Sequence, residues 1–250
     1  MDRDELVRYL DEYLRIGEIA DDSQNGLQVE GRPEVRRLAL AVDACLESFQ
    51  QAVEAGADML LVHHGLFWKD YRPLRGAFLR RVRVLLDGGV SLYAAHLPLD
   101  AHPQVGNNAV LAQRLGLEVV GPFGEYHGVQ VGVEARLPAP LPPQEFAQRV
   151  QEHLGTKVVL LAYGPPQVHR VGIISGGGAE MTAQAAARGL DLFLTGERSH
   201  TFYHEAREQN LHVLYAGHYV TETVGVRALG EHLAERFGLE TTFLDVPTGL

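Results

Sequence analysis

Two adjacent histidines, His63 and His64, end an apolar run in LVHHGLFW (residues 61–68). A second pattern occurs twice: LYAAHLPLD (92–100) places His96 four residues before Asp100, and LYAGHYVTE (214–222) places His218 four residues before Glu222. Imidazole and carboxylate together suit zinc, iron, manganese, cobalt or nickel, and their mixture does not choose among these. The chain has one cysteine, Cys45, so a cysteine-rich zinc site is excluded and any metal must be held by histidine and carboxylate. His63, His64, Asp100, His218 and Glu222 are the candidate ligands of two divalent ions. Asp100 and Glu222 can each bridge, since a carboxylate offers two oxygens. Five side chains shared by two ions leave positions for water, which is the catalytic rather than the structural pattern. Paired ions typically generate a bridging hydroxide near neutral pH, so the chemistry expected first is hydrolysis. His96 and Glu222 are the candidate catalytic residues. His96 mirrors His218 and is read either as an orienter of the ligands or as a proton shuttle.

The elements that must position these residues come in two copies. Displaced by 133 residues, the segment 31–64 falls without gaps on 164–197, with 10 of 34 positions identical. At an offset of 122, LYAAHLPLD falls on LYAGHYVTE and LAQRLGLE (111–118) on LAERFGLE (233–240). Upstream, DELVRYLDEYL (4–14) resembles QEFAQRVQEHL (144–154). Order is kept throughout, so duplication is the economical account. Each copy reads helix, strand, turn, strand, helix, strand, helix. RRLALAV and DMLLVHH are apolar throughout, with the amphipathic CLESFQQAVEAG between them, which predicts strands covered on both faces. The fold expected is α/β: two similar lobes, each a mainly parallel or mixed sheet flanked by helices. Lobe one is expected over 1–120, with 215–250 packing back onto it, and lobe two over 121–214. In such sheets, sites gather at the carboxyl ends of strands, where the histidines and carboxylates of both copies fall.

Composition sets the outer bounds. At 250 residues, 46% hydrophobic and 22% charged, the chain is an ordinary globular one with a sizeable core. A formal net charge of -10 supplies no basic field, so general nucleic-acid binding is disfavoured. No apolar run approaches a membrane span and MDRDELVRYLDEYL is not a signal segment, so a cytoplasmic protein with no membrane partner is expected.

The remaining polar residues read more plainly. His102, His127, His153, His169, His212 and His232 are taken as surface or satisfied groups, and Cys45 as a packed residue. The glycines of SGGGAEM (175–181) suit either a phosphate cradle or tight packing. Glu197, His200 and His204 in TGERSHTFYH (195–204) are assigned to capping before pocket lining. Trp68, Lys69, Tyr71 and Arg72 form either an ordinary surface loop or a hold for a base or anion beside the metal.

DDSQNGLQVEG (21–31), VHHGLFW (62–68), AAHLPLDAHPQVGNNAVLAQRLGL (94–117), SGGGAE (175–180), LFLTGERSH (192–200) and HYVTE (218–222) together resemble the NIF-like dinuclear-metal proteins, often named type 2 homologues of GTP cyclohydrolase I. The resemblance covers nearly the whole chain. It implies that His63, His64, Asp100, His218 and Glu222 ligate a two-metal centre between the lobes, and that the chain forms a homohexameric ring. The open, carboxylate-bridged ligand set makes a metal-dependent hydrolase the leading expectation, acting on a small phosphorylated or heterocyclic substrate through a metal-bridging hydroxide, and the resemblance adds GTP as a candidate substrate. Two other readings use the same residues: a metal-handling or cofactor-insertion protein, and a regulatory or scaffold module with a structural metal.

Overall fold

A computed structural model describes residues 1–250. In chain order the strands are β1 (Gly26–Val29), β2 (Arg37–Asp43), β3 (Met59–His64), β4 (Ser91–Ala94), β5 (Glu118–Tyr126), β6 (Val129–Leu141), β7 (Val159–Leu161), β8 (Val168–Ile174), β9 (Leu192–Thr195), β10 (His212–Tyr215) and β11 (Glu240–Phe243). The helices are α1 (Arg3–Tyr13), α2 (Leu46–Glu54), α3 (Gly76–Gly88), α4 (Leu97–Asp100), α5 (Asn107–Arg114), α6 (Pro143–Leu154), α7 (Thr182–Ala187), α8 (Tyr203–Glu208) and α9 (His218–Phe237). The chain divides into two compact units, residues 1–99 with 225–246, and 100–224 with 247–250. No helix is long and apolar enough to cross a membrane.

The first unit holds a five-stranded sheet in the order β1-β4-β3-β2-β11. β2, β3 and β4 run parallel, β11 joins β2 parallel, and β1 joins β4 antiparallel. Unbroken burial along these strands reflects cover on both faces, as their continuous apolar runs require. One face carries Ala39, Ala41, Leu60, Val62, Leu92 and Ala94 against Phe49 and Ala52 of α2 and Phe78, Val82 and Leu85 of α3. On the other, α9 passes so close that a side chain at Gly230 would strike Leu40, while Tyr93 donates to Asp11 of α1 at 2.8 Å.

The second unit holds a six-stranded sheet in the order β5-β6-β8-β9-β10-β7. Its β8, β9 and β10 are parallel and β7 is antiparallel to β10, so the first unit's β2, β3, β4 and β1 are repeated in kind and order. The hairpin β5-β6 is the addition, antiparallel to β8. The expected two mixed sheets flanked by helices are present.

The repeats differ in how they finish. In the second, α9 runs unbroken for 20 residues. In the first, the matching stretch is split into α4 and α5 by a turn that includes Pro103, which cannot donate a helical hydrogen bond. The unit boundaries fall at 99/100 and 224/225, whereas the sequence reading drew them at 120/121 and 214/215. The difference at the first boundary lies in α5, which packs on β5, β6 and β8. Each repeat thus contributes its closing helical segment to the other unit: α5 to the second, and the later turns of α9 to the first.

Candidate metal-binding residues

In the first unit, β2, β3 and β4 deliver their polar groups at their carboxyl ends. Both His63 and His64 belong to β3 itself. Neighbours on a regular strand point to opposite faces. Here the two rings nevertheless lie with centroids 4.7 Å apart and tilted by 44°. The His96 ring joins them at 5.1 Å from His63 and 5.6 Å from His64. One ligand atom from each of the three lies within 4.8 Å of the others, so this group can hold a metal ion.

Each imidazole is held through Nδ1. That of the fully buried His63 donates to the Ala95 carbonyl at 2.9 Å, that of His64 to Asp43 at 2.8 Å, and that of His96 to Asp21 at 3.0 Å. An acceptor on Nδ1 fixes the tautomer and the ring orientation, the arrangement that accompanies metal-bound histidine. Asp43 stands opposite His64 in the β2–β3 register. Asp21 also accepts from the amides of Ser23 at 3.0 Å and Leu97 at 3.0 Å, and from Asn25 at 2.8 Å. Its carboxyl is held down at about 2: burial pushes it up, and the hydrogen bond and charge of His96, with help from Asn25, outweigh that.

Trp68 turns inward, edge-on to His96 at 5.1 Å and donating to the Gly65 carbonyl at 3.0 Å. Lys69, Tyr71 and Arg72 are exposed. The structure therefore separates these four residues: one borders the histidines and three form a surface loop.

In the second unit, α9 opens at His218, and Glu222 lies one turn on, with its oxygen 3.2 Å from His218 Nε2. The other ring nitrogen donates to Glu197 at 3.0 Å. His218 is pushed up to about 9, chiefly by its hydrogen bond with Glu222, with Glu197 adding and burial opposing. Surroundings that stabilise a proton so strongly favour positive charge at that nitrogen, which a divalent ion also supplies. Asp100 accepts from Asn107 at 2.8 Å and from the Ser175 hydroxyl at 3.1 Å.

The glycine-rich turn is a packing device. Ser175, Gly176 and Gly178 give their amides to Asn108, Thr221 and Thr195 at 2.7, 3.0 and 3.1 Å, so these donors are already engaged within the protein. The Gly176 carbonyl accepts from the amides of Gly196 and Glu197. Gly176 has φ +60°, and a Cβ there would collide with the Glu222 carboxylate. The helix that follows has six residues.

Sequence reasoning did not single out Asp21, Asp43, Asn25 or Asn107. Asp43 was signalled by its place at the end of an apolar strand beside the one bearing His64. Among the histidines set aside, His102 accepts from the amides of Gln104 and Val105, and His212 bonds Gly164 and Pro165. His232 stacks on Tyr13 with centroids 4.4 Å apart. Cys45 caps α2, accepting from Ser48 at 3.4 Å.

Fold and site together define a mixed α/β protein, built by duplication, whose histidines and carboxylates form groups able to hold a metal ion. The chain matches the model of the Duf34/NIF3 (NGG1p interacting factor 3) family over residues 1–249 and belongs to that family. It is 50% identical over 248 residues to a protein of Deinococcus radiodurans named GTP cyclohydrolase 1 type 2 homolog, covering 99% of this chain and 94% of that one. Among solved structures, TTHA1606 from Thermus thermophilus is similar with a TM-score of 0.93 at 49% identity. The protein ybgI, described as of unknown function, is similar with a TM-score of 0.95 at 41% identity; each comparison covers the whole of both chains.

Proposed function

We propose that the protein is a metal-dependent hydrolase in which His63, His64, Asp100, His218 and Glu222 ligate a dinuclear centre, acting on a small phosphorylated or heterocyclic substrate. The observation that carries the reading is the tethering of His63, His64 and His218 through Nδ1 by an acceptor, with a carboxylate from each repeat, Asp100 and Glu222, in the helix that follows β4 and β10. Two bound ions would supply a hydroxide nucleophile near neutral pH and stabilise the attacking and leaving oxygens. The chain's own residues do the rest. Asp43 and Glu197 fix the His64 and His218 rings, while Asn107 and Ser175 orient Asp100. Trp68 presents an aromatic wall beside His96.

The test is metal content by mass spectrometry on untagged protein purified without added metal, beside His64→Ala and Glu222→Gln, followed by hydrolysis assays on nucleoside triphosphates and phosphorylated heterocycles. About two ions per chain, falling in both variants together with turnover, support the reading. Fewer than one ion in the wild type, or variants with unchanged turnover, overturn it.

A further inference from the structure

Residues 69–88, the loop after Trp68 and the helix α3 that it enters, hold six of the chain's 22 basic residues and two of its 32 acidic ones. That is a local surplus of positive charge in a chain whose formal net charge is -10. α3 buries Phe78, Val82 and Leu85, spaced to lie on one side of a helix, against the first unit's sheet. Arg80 and Arg83 ride the opposite side and are exposed, as are Arg72 and Arg75 in the loop. Elsewhere in the chain Arg36, Arg37, Arg170 and Arg188 each hold a carboxylate within 3.2 Å. The guanidinium groups of Arg72, Arg75, Arg80, Arg81 and Arg83 hold none, and in this stretch only Lys69 forms an ion pair, with Asp22 at 3.4 Å.

Apolar side chains stand out among these cations. Tyr71 is 90% exposed, Leu74 55% and Leu86 57%. Val53 of α2 is exposed too, and it lies so close to the end of α3 that a Cβ at Gly88 would strike it. Exposed hydrophobic residues scattered singly need no explanation, but a group of them on one helical layer, edged by unpaired guanidinium groups, marks an interaction surface.

The positive charge alone would suit any polyanion, and the apolar exposure decides among them. A phosphate chain gives Leu74 and Leu86 nothing to bury against. The boundary between lipid headgroups and acyl chains takes arginine, tyrosine and leucine together, the guanidinium groups staying with the headgroups while the apolar side chains sink below them. Tyrosine favours that boundary because its ring is apolar and its hydroxyl polar.

We propose that the loop 69–75 and the α2–α3 layer of the first unit form a peripheral docking surface for an anionic lipid bilayer, with Arg72, Arg75, Arg80 and Arg83 on the headgroups and Tyr71 and Leu74 beneath them. No helix of the chain is long and apolar enough to cross a membrane, and a surface contact of this kind needs none. The expectation of no membrane partner came from charge and hydropathy taken along the whole chain, which average out a local surplus. The inference is independent of the metal-binding reading, since none of these residues is a ligand in it.

The experiment sediments the full-length protein with vesicles of phosphatidylcholine alone and of phosphatidylcholine mixed with phosphatidylglycerol, at low and at high salt. Wild type is expected in the pellet with the mixed vesicles at low salt, and in the supernatant with phosphatidylcholine alone or at high salt. Arg72→Ala/Arg75→Ala and Arg80→Ala/Arg83→Ala should each lower the partition coefficient roughly 25-fold, about fivefold for each charge removed. Tyr71→Ala/Leu74→Ala should lower it as well while leaving its salt dependence in place. All of these positions except the backbone of α3 are at the surface, and circular dichroism checks that each variant is folded. Wild type that stays in the supernatant at low salt overturns the inference, as do arginine variants that pellet as wild type does. Unchanged binding by Tyr71→Ala/Leu74→Ala would leave adsorption by charge alone and also sinks the docking surface. So does either of two results obtained without vesicle binding: capture of a single-stranded oligonucleotide, which assigns the cations to nucleic acid, or a molar mass by light scattering that differs between wild type and variants, which makes the face a contact between copies of the chain.

Discussion

Asp43 sits opposite His64 in the register of β2 and β3 and takes its Nδ1 proton at 2.8 Å. A carboxylate in that position raises the basicity of the ring and holds its orientation, and an amide does both less well. Asp43→Asn is therefore expected to lower Zn²⁺ affinity roughly 10- to 100-fold with little change in melting temperature; equal affinity in chelator competition would show that His64 needs no such support. Gly176 makes a different demand. Its left-handed backbone costs about 1–2 kcal/mol for a residue with a Cβ, and here the Cβ would also meet the Glu222 carboxylate. Gly176→Ala should both melt earlier and take up less metal than wild type. A variant with normal uptake would mean that Glu222 can move aside at no cost to the site. The histidines were legible in the sequence because they end strands that are apolar throughout, so a polar residue there stands out. Asp43 carried the same signal at the end of β2, whereas Asp21 did not, because it lies in a loop and its partner His96 is 75 residues away in the chain.

At the scale of elements, β6 is fastened to β8 and to the end of α7 by one buried carboxylate. Glu134 accepts from Arg170 at 2.9 and 3.1 Å and from Arg188 at 2.9 Å. Burial raises its pKa, but the two guanidinium groups overcome this and hold it below the ordinary 4.5. A depressed carboxylate contributes stability that is fully present above its unfolded value and disappears as the pH falls through the folded one. Glu134→Gln is thus expected to destabilise the protein at neutral pH by about 1–3 kcal/mol. The gap between variant and wild type should close in denaturant melts taken in acid below that folded value. A gap independent of pH would show that shape, not charge, is what matters there. Repetition made most elements readable, since α1 and α6, or β2 and β8, carry the same pattern twice. The hairpin β5-β6 has no counterpart in the first repeat, and its antiparallel place beside β8 depends on pairing between distant residues.

For the whole molecule, each unit has its own buried apolar residues, and the groups that could hold a metal lie at or just beyond the carboxyl ends of strands. Removing metal with a chelator should leave the far-ultraviolet dichroism intact and lower the melting temperature by an amount that recovers as Zn²⁺ is returned, in proportion to the logarithm of its free concentration. Loss of secondary structure on chelation would favour a structural metal instead. What the sequence did not disclose at this scale is the exchange of closing segments between repeats, because duplication shows which stretches are alike and not which sheet each one covers. That exchange has a consequence for synthesis. All but the last few residues of the second unit lie in one continuous stretch, 100–224, whereas the first unit needs residues 225–246. β11 must come back to pair with β2, where Arg37 and Glu240 meet across 203 residues of chain. On the ribosome, the half of the protein that emerges first is the half that is closed last, and Leu38 and Leu40 of β2 wait for their cover until the final turns of α9 and β11 have been made.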